Sequence, residues 1–176
     1  MYKNMPPIQS NDQSNNYAFI DGTNLYLGVR SLGWKLDYAR FRVYLKDQYD
    51  VTKAYVFLGF TPEQAGLYRS LQESGFILEF KPALPLKDGK LKGNCDAELV
   101  LRTILEIENY ENAVIVSGDG DFHCLVKHLA DKGKLKMVLA PSSVGCSKLL
   151  KRLVPNAVSF IEGLKGKLEY KQLPKK

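Results

Sequence analysis

Six short apolar runs that alternate with amphipathic segments predict an α/β fold with a mostly parallel central sheet and helices on both faces. Two further observations support that class. The chain has 176 residues, 45% hydrophobic and 25% charged, the proportions of one domain with a sizeable core. The runs are rich in β-branched and aromatic residues, which suits buried strands joined by right-handed crossovers.

Each element has its own signal. Residues 1–16 abound in Asn, Gln, Ser and Pro and read as a flexible N-terminal arm. The expected strands are Tyr17–Ile20, Ala54–Phe60, Phe76–Phe80, Ala113–Val116, Lys136–Ala140 and Ala157–Ile161. A first helix follows the first run, and the next, Tyr38–Tyr49, has Asp37 as its N-cap. Pro62–Ser74 has Thr61 as cap, a proline in its first turn and Gly75 as its stop. Asp96–Glu108 sets Leu99, Val100, Thr103, Ile104 and Ile107 on one stripe. Asp121–Lys132 ends at Gly133, and Ser147–Leu153 stops before Pro155. Residues 17–163 form the expected domain, and 164–176 a basic tail.

Composition narrows the function classes. The net charge is +6, but Lys127–Lys176 carries 12 Lys/Arg against 3 Asp/Glu, while Met1–Val126 carries 13 against 16. A basic C-terminal third beside an acidic body points to a polyanionic partner. No apolar run approaches the roughly 18 residues of a membrane span, and the first twenty residues lack the apolar core of a signal peptide. Cys95, Cys124 and Cys146 form no CxxC pair, which fits reduced thiols and a cytoplasmic location. Cys124 and His128 lie four apart, as facing zinc ligands do, but nothing completes a set of four. The expected partner is a nucleic acid, with no membrane; self-association is left open.

In parallel α/β sheets, ligands bind beyond the carboxyl ends of the strands where the strand order reverses. The first strand runs into Asp21-Gly22-Thr23-Asn24 and the fourth into Ser117-Gly118-Asp119-Gly120-Asp121. Asp96 opens the helix after the basic segment Lys81–Asn94. If the first and fourth strands are neighbours, Asp21, Asp119 and Asp121 converge, and Asp96 joins them from the side. Clustered carboxylates repel one another unless protonated or bridged by a cation. An oxygen-only set with no His or Cys selects a hard ion, Mg²⁺ or Mn²⁺. The plain alternative is that these are turn sequences and helix caps.

The motifs FIDGTN (Phe19–Asn24), KGNCD (Lys92–Asp96), VSGDGDF (Val116–Phe122) and Pro141…Ser147…Leu150 give the chain from Tyr17 to about Gly163 a resemblance. It resembles an NYN domain of the PIN-like nuclease superfamily, in the LabA-like branch. That resemblance implies a single Rossmann-like, PIN-type domain with sheet order 3-2-1-4-5 and a metal-dependent ribonuclease or structure-specific nuclease. It carries metal-binding acids onto Asp21, Asp96 and Asp119, with Asp121 as a further acid and Asn24 as a polar partner. It departs at Arg102, where such sequences have a second acid about six residues after Asp96. One firmly held ion in place of two is then the expectation, and a non-catalytic RNA-binding module of the same fold is the alternative.

The chemistry that follows is hydrolysis of phosphodiester bonds, in RNA before DNA, by a water activated at the ion. Thr23 and Ser117 are expected to hydrogen-bond around the acids. Arg30 and Lys35 beside the first helix, Lys81, Lys87, Lys90 and Lys92 before Asp96, and Lys148, Lys151 and Arg152 after the fifth strand are candidate phosphate contacts. Asp88-Gly89 is expected to turn a small hairpin over the cleft. Tyr26, Trp34 and Tyr38 are candidates to stack on bases. Asp21-Gly22-Thr23 also resembles the nucleophile motif of haloacid-dehalogenase-like phosphatases, but Thr23 stands where their second Asp would act, so that reading ranks lower. No GxSxG, GxGxxG or GKS/T motif occurs.

Overall fold

Alternate residues of the first strand, β1 (Asn16–Asp21), face two separate cores, as a period of two requires when both faces of a sheet are covered. Ala18 and Ile20 join one core with the helices α1 (Gly22–Ser31), α2 (Tyr38–Tyr49) and α3 (Ala65–Glu73). Tyr17 and Phe19 join the other with α4 (Asp96–Leu105), α5 (His123–Asp131) and α6 (Lys148–Leu153). The computed structural model describes residues 14–82, 84, 85, 91, 92 and 94–171, of which 82, 84, 85, 91 and 92 are described by backbone alone.

The remaining strands are β2 (Val51–Phe60), β3 (Ile77–Pro82), β4 (Leu84–Pro85), β5 (Leu91–Lys92), β6 (Ala113–Val116), β7 (Leu135–Ala140) and β8 (Val158–Phe160). Six of the strands form one sheet in the order β3-β2-β1-β6-β7-β8, every neighbouring pair parallel. Counted within that sheet the order is 3-2-1-4-5-6: the expected order, extended by β8 at the edge. The chain leaves β1 toward β2 on one side and reaches β6 on the other, so the order reverses beside β1. Asp21 therefore stands at the switch point, with the residues after β6 as its neighbours.

Local chemistry sets most of the ends. Asp37 caps α2 by accepting the Arg40 N–H, and Gly75 takes φ +87° past the end of α3. The segment expected as one helix from Pro62 instead begins as a 3₁₀ turn, Pro62–Gln64, and Thr61 makes no side-chain cap. The helix expected from Asp121 begins later, because Gly120–Phe122 forms a 3₁₀ turn capped by Asp119. α4 stops at Leu105, three residues short of Glu108. Asn16 begins β1 and is fully buried, although its neighbours in sequence are polar. At the other end, a short helix α7 (Lys165–Leu168) buries Leu168 against the first core, and Leu36 bridges Glu169. No helix among the described residues is long and apolar enough to cross a membrane.

Candidate functional site

The acids meet because β1 and β6 pair in register up to Ile20 and Val116, so both strands deliver their next residues to one edge. Asp21 caps α1, its Oδ1 accepting the Asn24 N–H at 3.0 Å. The Ser117 hydroxyl donates to its Oδ2 at 3.3 Å. Asn24 reaches across the strand gap, and its Oδ1 accepts the Gly118 N–H at 3.0 Å. Asp119 accepts the Asp121 N–H at 3.0 Å and so caps the turn that carries both acids. Gly118 is closely packed: a Cβ there would lie 3.0 Å from the Gly145 carbonyl oxygen and 3.2 Å from the Cys146 Cα, so that backbone would have to give by a few tenths of an ångström. The Ser147 N–H donates to the Gly118 carbonyl at 2.9 Å, which locks the two loops together.

Asp96, Asp119 and Asp121 each offer a carboxylate oxygen, and the three lie within 4.8 Å of one another. Asp96 and Asp119 are half-buried and Asp121 is exposed. Asn94 holds Asp96 twice, donating to its Oδ2 at 2.7 Å and accepting its N–H at 2.8 Å. Asn94 carries no signal in the sequence beyond its own residue type, an Asn whose side chain can accept the N–H two residues on. Asp21 stands deeper. Burial pushes its carboxyl above the usual range, and the charges of Asp96 and Asp119 push the same way. The bonds from the Asn24 N–H and Ser117 oppose that shift.

These acids open into a cleft of about 990 Å³ that Asp21, Thr23, Asn24, Cys95, Asp96 and Asp119 help to line. The residues therefore fit a hard divalent ion: three carboxylates converge with Asp21 lining the same cleft, and among the described residues no histidine lines it. The Cys95 thiol is pushed up to about 11 by burial, with Glu98 adding.

The shifted Asp21 gives a testable stability effect. An acid held higher in the folded state binds protons more tightly there, so metal-free protein loses stability as pH rises from about 3.8 through the raised value. Asp21→Asn keeps the cap, since Asn caps helices as well as Asp, and removes that loss. In EDTA at pH 7 the variant is expected to melt above wild type, the gap closing as pH falls below about 3.8. Thermal melts across pH read this directly, and a variant that melts lower at pH 7 refutes it.

The expected cations are placed less uniformly. Arg30 donates to the Tyr26 hydroxyl at 2.8 Å, and Tyr26 lines the cleft. Lys35 follows α1, whose ten residues run about 15 Å away from Asp21, and its ammonium sits over the Tyr170 ring. Lys148 and Arg152 are exposed on α6, which packs against the turn bearing Asp121. Lys151 instead donates to the Ser143 carbonyl at 2.9 Å and pins the loop after β7. Lys81 pairs with Glu98 at 3.0 Å. Lys87, Asp88, Gly89 and Lys90 lie outside the described residues, as does the Lys92 side chain, although β4 and β5 pair antiparallel on either side of them. Trp34, a candidate base-stacker, is buried in the core. Arg102 bonds Glu79 at 2.8 Å and Glu106 at 3.5 Å, so its guanidinium is engaged along the edge strand and its own helix.

Comparison with known proteins agrees with this architecture. Residues 17–161 match the NYN domain family. The low amplitude and bright protein LabA of Synechococcus elongatus is 27% identical over 124 residues, covering 65% of this chain and 67% of LabA. A crystal structure of a protein of unknown function from Vibrio parahaemolyticus superposes with a TM-score of 0.71 at 25% identity, over 83% of this chain and 92% of that one.

Proposed function

The chain belongs to the NYN domain family, whose members are generally nucleases, and from that premise we propose that it is a metal-dependent nuclease acting on RNA. The observation that carries the reading is the approach of Asp96, Asp119 and Asp121 within 4.8 Å of one another, beside the half-buried Asp21. These four would hold one Mg²⁺ or Mn²⁺. A single ion suits the chain, because Arg102 brings no second carboxylate on α4 and is engaged by Glu79 and Glu106. When bound, such an ion would neutralise charge on the phosphate oxygens and lower the pKa of a water in line with the scissile bond.

The chain's own residues do the positioning. Ser117 donates to Asp21 and fixes the orientation of its carboxylate. Asn24 ties α1 to the turn after β6, so the two halves of the site move as one. Asn94 holds Asp96 in the same way. Asp121, the exposed acid, stands on the solvent side, where it would orient a water or complete the ion's shell. Thr23 is exposed beside Asp21 and lines the cleft, where its hydroxyl would be free to hydrogen-bond an incoming strand. Lys148 and Arg152, exposed on the helix beside the turn that bears Asp121, would offset the negative centre and hold the phosphate backbone without reading sequence. Attack by water with the 3′-oxygen as the leaving group would give a 5′-phosphate and a 3′-hydroxyl.

The test uses labelled single-stranded RNA and DNA with Mg²⁺, Mn²⁺ or EDTA. RNA is expected to be cut with either ion, faster than DNA, and not in EDTA. Cleavage that persists in EDTA would sink the metal-dependent reading. Binding without cleavage in either metal would favour a non-catalytic RNA-binding module.

A further inference from the structure

The cleft does not end at the acids. It continues between α1 and α3 over β2, where Tyr26, Leu27, Tyr38, Leu58, Leu67 and Leu71 line it. Two of these are costly to leave open to water: Tyr26 is 45% exposed and Leu27 56% exposed, on the helix that starts at the acids. Arg30 bonds the Tyr26 hydroxyl and lies 5.9 Å from its ring centre, which holds the ring in place against the groove.

Charge decides what such a groove can take. Among the described residues no Lys, Arg or His lines any part of the cleft. Among the described lining residues a run of phosphates would meet no cation along this wall, and it would meet the acids at its end. A flat, uncharged, polarisable group finds apolar and aromatic surface there instead. Gln64 also lines the groove, and its amide can both donate to and accept from the edge of such a group. The volume, about 990 Å³ with the acidic end included, lies at the upper end of the range for small-molecule pockets and exceeds the needs of one nucleotide.

We propose that the groove between α1 and α3 binds an unpaired nucleobase of the strand whose phosphate lies at the acids, and thereby restricts the protein to single strands. This rests on the nuclease reading above. The two parts of one continuous cleft then match the two parts of a nucleotide: phosphate toward the carboxylates and their ion, base toward the tyrosines and leucines. A base inside a duplex is stacked and paired and cannot enter.

The experiment uses single-stranded RNA carrying one abasic residue, moved stepwise past a fixed cleavage position, with Mn²⁺ present. Cleavage next to the abasic residue is expected to fall about tenfold or more in kcat/KM, and the paired duplex to resist cleavage. The double variant Tyr26→Ala/Leu27→Ala removes solvent-facing side chains and is expected to fold as wild type, checked by its melting temperature. It should show the same fall on intact strands and no further fall on abasic ones. Equal cleavage of intact and abasic strands by wild type overturns the proposal while leaving the nuclease standing, and assigns the groove to a protein segment or a second copy of the chain. A double variant impaired equally on both strands overturns it as well. Absence of cleavage on every strand with every metal is a different failure, and removes the nuclease reading together with this one.

Discussion

Asp119→Asn is expected to lower cleavage more than about a hundredfold while the protein stays folded. Losing a group that merely supports a metal ligand typically costs about 10–100-fold, and Asp119 would touch the ion itself. The fold should survive because the Asp119 Oδ1 caps the Gly120–Phe122 turn through the Asp121 N–H, and Asn offers an oxygen in the same place. The substitution also removes one negative charge from a site where Asp96, Asp121 and Asp21 crowd together. Initial rates in Mn²⁺ and a thermal melt in EDTA separate the two effects. A rate within about threefold of wild type would show that Asp119 does not hold the ion; a lower melting temperature would show that the turn depends on its charge.

Asn16→Leu is expected to cost about 2–3 kcal/mol of stability, with activity retained in the fraction that folds. Asn16 is fully buried at the start of the central strand. Its side-chain N–H donates to the Tyr49 carbonyl at 2.7 Å, and its Oδ1 accepts the Asn112 N–H at 3.0 Å. It thereby joins the end of α2 to the start of β6 across β1. Leucine fills a similar volume but leaves both backbone groups without a partner, and stranded polar groups each cost about 1–3 kcal/mol when buried. Urea denaturation measures the loss. A change under about 0.5 kcal/mol would mean that water reaches those groups and that Asn16 contributes only its shape.

Asn16 also shows where sequence reasoning meets its limit. By composition it belongs with the polar residues before it, and nothing local separates it from them. Its role exists only once α2 and β6 are brought to its two sides. Trp34 is the reverse case: its chemistry suits base stacking, but the chain after α1 turns it into the core. The cations divide in the same way. Lys148 and Lys151 look alike in sequence, yet Lys151 holds the Ser143 carbonyl whereas Lys148 is exposed. Arg102 could be seen in the sequence as a missing acid, but its partner Glu79 lies on the sheet edge, 23 positions away in the chain.

The sequence by itself determined the α/β class, the six sheet strands and the two acidic motifs at strand ends, because each depends on short-range chemistry. Apolar periodicity marks the strands, and Asp-Gly turns mark their carboxyl ends. Asp96, which opens the helix after the basic segment, is expected from the sequence to join them from the side, and the resemblance to a nuclease family implies a metal-binding role for it. Only the tertiary structure decided which acids come within 4.8 Å, that Asp21 is the one burial pushes upward, and that a largely apolar groove, with no cation among its described lining residues, continues from them between two helices. Those properties belong to residues far apart in the chain. They arise from how strands pair and helices pack, so the charge, burial and neighbours of each side chain are set by segments that its own sequence context does not name.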